Sequence, residues 1–199
     1  GITQSIDSDF ITSDNQISAE LTEIGLNGLY QVASNISIAG QVVYLDGGNR
    51  FEQGSRLDYL FIDWTVDDIA GWQAQIHLGR YKNSHWLYSV TRDVPQTRDT
   101  AVLPQSVYFD GFRDVALGSN GIQTRFSKYT DNHVWEVNWS YGRSTINEEQ
   151  RDYLLGSLAL GKIKQDFVHQ FSVFWQPASM NWKLGASWLD SDFEYIPLE

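Results

Sequence analysis

Val134-Trp135-Glu136-Val137-Asn138-Trp139-Ser140-Tyr141-Gly142 is the stretch that decides the fold. Trp135, Val137, Trp139 and Tyr141 alternate with Glu136, Asn138, Ser140 and Gly142. Side chains of a β-strand point to opposite faces in turn, whereas a helix repeats every 3.6 residues. The spacing therefore predicts a strand with one apolar and one polar face. Trp72–Leu78 repeats it with Trp72, Ala74, Ile76 and Leu78 against Gln73, Gln75 and His77. Met180–Trp188 does so with Met180, Trp182, Leu184, Ala186 and Trp188 against Asn181, Lys183, Gly185 and Ser187. Looser versions surround Ile24-Leu26-Gly28-Tyr30, Ile36-Ile38-Val42-Tyr44, Leu60-Ile62-Trp64-Val66, Ile122-Thr124-Phe126 and Phe167-Phe171-Val173-Trp175. Eight antiparallel strands follow, near 17–32, 36–46, 56–66, 72–80, 120–129, 133–143, 166–176 and 180–190. They are expected as sequential neighbours in a single domain over 1–199, with 1–16 a flexible N-terminal segment.

The connections alternate in length. Ala33-Ser34-Asn35, Asp67–Gly71, Thr130-Asp131-Asn132 and Pro177-Ala178-Ser179 are tight and rich in turn residues. Asp46–Ser55, Tyr81–Ser119 and Ser144–Gln165 are long. Transmembrane barrels have short periplasmic turns and longer extracellular loops. The fold class expected is all-β, an antiparallel up-and-down transmembrane β-barrel or a piece of a larger one. Within the third long connection, Thr145-Ile146-Asn147-Glu148 has capping-box spacing and Glu148-Glu149 would fall in the first turn of a short helix, with Tyr153, Leu154 and Leu158 on one face. A strand extension or an irregular loop are the alternatives there.

Composition narrows the function classes. Lys+Arg number 14 against 25 Asp+Glu, a formal charge of −11, which disfavours nucleic acid as a partner. There is no cysteine, hence no disulfide framework and no thiolate metal site. No run of about 18 uncharged apolar residues exists to make a transmembrane helix. A transmembrane strand needs only ~9–11 residues. The polar faces hold mostly small uncharged groups, and Glu136 and Lys183 are the full charges on strands four, six, seven and eight. That suits an enclosed lumen better than a water-exposed sheet, which carries more Lys and Glu. Trp72, Trp135, Tyr141, Trp182 and Trp188 fall near strand ends, as interfacial aromatic girdles require. A soluble core filled by Trp is the competing account.

One stretch goes beyond pattern. Gly79-Arg80-Tyr81-Lys82-Asn83 is followed by Thr91-Arg92-Asp93-Val94-Pro95, Thr97-Arg98, Leu103-Pro104-Gln105-Ser106-Val107-Tyr108-Phe109-Asp110 and Ser119-Asn120-Gly121-Ile122. From about Leu57 to Gln123 the chain resembles a porin-like family of Gram-negative outer-membrane proteins. The resemblance implies a β-barrel channel in the bacterial outer membrane, with lipid and small hydrophilic solutes as partners and homo-oligomers as an option. Members are much longer, and outer-membrane barrels commonly end in an aromatic residue, whereas this chain ends Ile196-Pro197-Leu198-Glu199. Both departures lead to the expectation of a piece of a longer protein.

Catalytic and metal chemistry finds little footing. His77, His85, His133 and His169 stand without partners at metal-ligand spacing. There is no Gly-x-Ser-x-Gly, no phosphate loop and no His-Glu-x-x-His. Neither an enzyme nor a cofactor or metal site is expected. The informative cluster is basic: Arg80, Lys82, Arg92, Arg98 and Arg113 hold 5 of the 14 Lys+Arg in or beside Tyr81–Ser119, interspersed with Asp93, Asp99, Asp110 and Asp114. Guanidinium forks bind carboxylates bidentately. Arg80, Lys82, Arg92, Arg98, Arg113, Asp93 and Asp110 are therefore the candidates for a loop that narrows a pore, either by lining it or by pinning the loop. A connection this long is expected to be ordered and to fold back toward the barrel rim or lumen. Three functions stay open: a passive channel, a soluble lipocalin-like barrel holding an apolar ligand, and a non-conducting structural barrel.

Overall fold

In the computed structural model, residues 3–4, 17–18, 21–47, 53–84, 118–156 and 158–197 are described. Eight of the strands form one antiparallel sheet: β3 (Leu21–Ala33), β4 (Ile36–Gly47), β5 (Gly54–Ile69), β6 (Trp72–Lys82), β7 (Gly118–Tyr129), β8 (His133–Arg143), β9 (Gly161–Pro177) and β10 (Leu184–Pro197). Each pairs with its sequence neighbour, so the topology is up-and-down and the class is all-β. The sheet does not close on itself, and β3 and β10 are its edges. Two short strands, β1 (Thr3–Gln4) and β2 (Ile17–Ser18), pair with each other. The sequence had assigned residues 17–20 to the first long strand, but that strand starts at Leu21; the rest of the segment expected to be flexible lies outside the described residues.

The tight turns sit where turn chemistry put them. Between β5 and β6, Asp68 and Ala70 take positive φ (59° and 56°), and Asp68 Oδ1 accepts from the Gly71 amide at 2.9 Å. Between β7 and β8, the Thr130 hydroxyl oxygen accepts from the His133 amide at 3.1 Å. The helix also forms, as α1 (Glu148–Leu155), but its capping box is shifted by two residues from Thr145: Asn147 Oδ1 accepts from the Gln150 amide at 2.8 Å and Gln150 Oε1 accepts from the Asn147 amide at 3.2 Å. Leu158 lies beyond its end and is 95% exposed, so it shares no helical face. No helix among the described residues is long and apolar enough to cross a membrane, which says nothing of strands.

Four register shifts break the alternation. The register shifts between Gln41 and Val42, whose partners Tyr59 and Leu57 flank Asp58. It shifts again between Asp192 and Phe193, opposite Phe167 and Gln165, which flank Asp166. The other two lie between Gln31 and Ala33 and between Val66 and Ile69. A bulge sets two residues against one and strengthens the local twist. The strand expected at 166–176, β9, consequently begins at Gly161. The last strand starts at Leu184 rather than 180 and continues through the bulge to Pro197.

Burial divides the two faces in an order opposite to that of a water-soluble sheet. Leu26, Leu60, Trp64, Leu78, Tyr141, Leu184 and Trp188 are exposed, whereas Gln123, Asn138, Ser140, Gln170 and Ser172 are buried. Ala74 lies on the apolar face yet is 2% exposed, between its register partners Val66 and Phe126. Aromatic rings gather at two levels of the apolar face. Trp135, Trp175 and Trp182 cluster at the tight-turn end, with ring centroids 6.4 and 4.7 Å apart, and Lys128 Nζ stands 5.7 Å over Trp72. Tyr141, Phe167, His169 and Trp188 cluster toward the other end. Six residues of β8 separate Trp135 from Tyr141, roughly 20 Å at strand rise.

Gly79, Gly121 and Gly142 stand side by side on β6, β7 and β8. Gly79 has φ +133°, and a Cβ there would collide with the backbone of Leu60 and Phe61. A Cβ on Gly142 would come 2.9 Å from the Tyr81 hydroxyl oxygen, so this row leaves the room that Tyr81, 1% exposed, occupies. Gly79→Ala should therefore cost about 1–3 kcal/mol in backbone strain alone. Gly28→Ala, with nothing within 4 Å of the new methyl, should be neutral or stabilising by up to about 1 kcal/mol. Urea unfolding of the protein refolded in detergent, followed by tryptophan fluorescence, measures both.

Candidate functional site: the enclosed polar face

Inward-facing residues of β5 to β9 form one hydrogen-bonded surface. Its position follows from the register: His77 opposes Asp63 and Gln123, Arg125 opposes Gln75 and Asn138, and Asn138 opposes Ser172. These cross-strand neighbours meet because their alternation is in phase on all five strands. His77 stands between Asp63 (Nε2 to Oδ1, 3.2 Å) and Gln123 (Nδ1 to Oε1, 3.0 Å). Arg125 Nε donates to Asn138 Oδ1 at 3.1 Å, and Asn138 Nδ2 donates to Glu136 Oε1 at 2.9 Å. One amide thus stands between the guanidinium and the carboxylate.

Where β6 ends, the chain turns onto this surface. The Lys82 carbonyl accepts from Gln123 Nε2 at 3.0 Å. Asn83 Nδ2 donates to the Ser119 hydroxyl oxygen at 3.1 Å, and Asn83 Oδ1 accepts from the Ser140 hydroxyl at 3.0 Å. The Ser84 carbonyl accepts from Ser172 Oγ at 2.9 Å and from Gln170 Nε2 at 3.0 Å, while the Ser84 hydroxyl oxygen accepts from Arg125 Nη2 at 3.4 Å. Ser84 is therefore held on β9, three strands from the β6 that leads to it, a span of about 14 Å at strand spacing. Asn83 and Ser84 are buried, at 0% and 5% exposure. Buried polar groups are costly unless hydrogen-bonded, so these bonds fix the path of the main chain here.

Of the candidates read from the sequence, two fall among the described residues. Lys82 is buried and pairs with buried Asp58, Nζ to Oδ2 at 2.5 Å, reaching the bulge of β5. Arg80 shares the register phase of Leu78 and opposes Leu60 and Asn120, and its Nε donates to the Leu57 carbonyl at 3.0 Å. By register it stands on the apolar face. Arg92, Arg98, Arg113, Asp93 and Asp110, and most of the long connection, lie outside the described residues. Its described start, Asn83–Ser84, does turn inward.

Sequence reading missed Arg125, Gln123, Asp58 and Ser84. Arg125 was hidden because Ile122-Thr124-Phe126 drew attention to the opposite face. Extending the alternation to that strand's polar face would have found it. No carboxylate of the described residues lies within 4.0 Å of its guanidinium, whereas Lys82 has Asp58 and Lys183 has Glu136 at 4.0 Å. No group of three or more His, Cys, Asp or Glu able to hold a metal ion occurs among the described residues. No family model, no curated protein and no solved structure matches the chain.

Removing one partner of a buried ion pair strands the other charge. Lys82→Met should cost about 3 kcal/mol or more, and Lys82→Met with Asp58→Asn should recover most of that loss. Denaturation midpoints of the single and double variants provide the comparison.

Proposed function

We propose that the chain forms the wall of a β-barrel channel in the outer membrane of a Gram-negative bacterium, a porin-like path for passive passage of small hydrophilic solutes. The observation that carries this reading is the inverted burial. The exposed apolar face spans the sheet from β3 to β10. Exposed apolar patches beyond ~400 Å² mark binding or membrane surfaces. In lipid, an apolar outer face flanked by aromatic girdles is the stable arrangement. The two aromatic levels, roughly 20 Å apart, match a band of about 25 Å.

The polar face supports a channel over a lipocalin-like calyx. A calyx for an apolar ligand needs apolar groups inside, whereas the inward side chains here include the amides and hydroxyls of Gln123, Asn138, Gln170 and Ser172. Asn83 and Ser84 narrow that enclosure from the β6 side, and Arg125 stands beside them. The structural barrel differs from the channel in conductance alone, so planar-bilayer recording of the full-length protein separates the two. A wild type that passes no current removes the channel reading.

Two further outcomes follow from the assignment of faces. Ala186→Arg, on the apolar face, should cost about 2–4 kcal/mol if it lies near the bilayer midplane; Ser187→Arg, one residue on and facing inward, should be spared that cost. Folding equilibria in lipid vesicles report the difference. Charged groups lining a pore set its selectivity. Arg125→Gln should move the reversal potential under a potassium chloride gradient toward cations, whereas Arg80→Gln should leave it in place.

A further inference from the structure

A second site is set apart from the polar network, at the end of the sheet where the long connections lie. The segment entering α1, the end of β8 and the start of β9 enclose a cavity of about 840 Å³. Four of its lining side chains are cationic, Arg143, Arg151, Lys162 and Lys164, and one is anionic, Glu148. The lining itself is therefore mostly cationic, although carboxylates behind it hold two of the four.

The four cations divide into two kinds. Arg151 is held by Asp152 (Nη2 to Oδ1, 2.7 Å) and donates through Nη1 to the Gly161 carbonyl at 2.8 Å. Lys164 is held by Asp166 at 2.7 Å, with Glu194 at 4.0 Å. Those carboxylates fix two walls of the cavity. Arg143 and Lys162 have no carboxylate of the described residues within 4.0 Å, and both are exposed. The amide of Asn120 also borders the space.

We propose that this cavity binds a phosphorylated sugar, either as a free solute or as the headgroup of a glycolipid. A phosphate has three strong acceptor oxygens, and an Arg fork with a neighbouring Lys satisfies two or more of them. The volume falls in the ~300–1,000 Å³ of small-molecule sites, too large for a bare phosphate and suited to one carried on a sugar ring. Position adds to the chemistry. Arg143 and Lys162 lie in the register of the apolar face, in phase with Tyr141 and opposite Ile196 respectively, at its long-connection edge. A ligand held there would have its polar part at the rim and any acyl chains along the apolar face. The inference stands apart from conduction, since none of these side chains belongs to the polar network.

The test uses the full-length protein refolded in detergent and in phosphatidylcholine vesicles. The probes are inorganic phosphate, glucose 6-phosphate, and vesicles with and without lipid A. The variants are Arg143→Gln with Lys162→Gln, the charge-keeping exchange Arg143→Lys with Lys162→Arg, and Lys128→Gln, a cation at the opposite end of the apolar face. Wild type should bind glucose 6-phosphate or lipid A saturably, and more tightly than inorganic phosphate. The double Gln variant should lose tenfold or more in affinity while keeping its strand content by circular dichroism. The charge-keeping exchange should retain most of the affinity, and Lys128→Gln all of it. Binding of glucose 6-phosphate in detergent identifies a free solute, whereas binding of lipid A vesicles alone identifies a headgroup. The proposal is overturned if wild type binds neither sugar phosphate, or if the folded double Gln variant binds as wild type does. If the double Gln variant fails to fold, equal affinity of the single Arg143→Gln and Lys162→Gln variants and wild type overturns it instead.

Discussion

A sheet one layer thick has two faces, and its own chain can cover only one of them. In this protein the covered face is the polar one, and every other feature depends on that choice. Leu26, Leu60, Trp64 and Leu184 stay exposed on the apolar face. Burying apolar area is worth about 25 cal/mol per Å², a gain that these exposed side chains do not obtain within the described sheet. On the other face the currency is hydrogen bonding. Gln123, Asn138, Gln170 and Ser172 are stable out of water because they bind one another and the Lys82–Ser84 main chain. Such a network is cooperative in the sense that a half-satisfied member is worse than an apolar one.

The same network explains the route taken after β6. Asparagine and serine at positions 83 and 84 are small enough to lie flat on the sheet and have the donors and acceptors to bind it. Lys82 closes the arrangement from the side by reaching the bulge at Asp58. The bulge exposes the extra residue that the lysine needs, and the glycine row beside Tyr81 provides the depth. Three local departures from ideal strand geometry thus serve one purpose, the admission of main chain to the enclosed face.

Much of this was legible in the sequence, and the limits have physical causes. Period-2 alternation through Trp135–Tyr141 and Trp72–Leu78 fixed strand, phase and neighbour together, because a one-residue slip would exchange the faces. Alternation fails at a bulge, where the phase flips. That is why the last strand was read to end near Asp190 although it runs on past Asp192 to Pro197, and why Gly161–Gln165 escaped notice on β9. The capping box was seen at Thr145 instead of Asn147, since both spacings contain a suitable oxygen and only the chain direction selects one. At the polar face, charge was the guide, and it pointed to Arg80, which the register places in phase with Leu78 on the apolar face. Neutral Asn83 and Ser84 look like ordinary turn residues in a string of letters. Their role depends on β9 being three strands away, a distance no local pattern contains.

Strand order also makes the two ends of the sheet unlike each other. β3 with β4, β5 with β6, β7 with β8 and β9 with β10 are four hairpins, each closed by a tight turn, and all four tips lie at the same end of the sheet. Every long connection lies at the other end. The tips here are a few turn residues each, whereas the connection between β6 and β7 contains 35 residues, 83 to 117. The two rims of the sheet are thus unequal: one is made of hairpin tips with little chain to spare, and the other carries every long connection between strands.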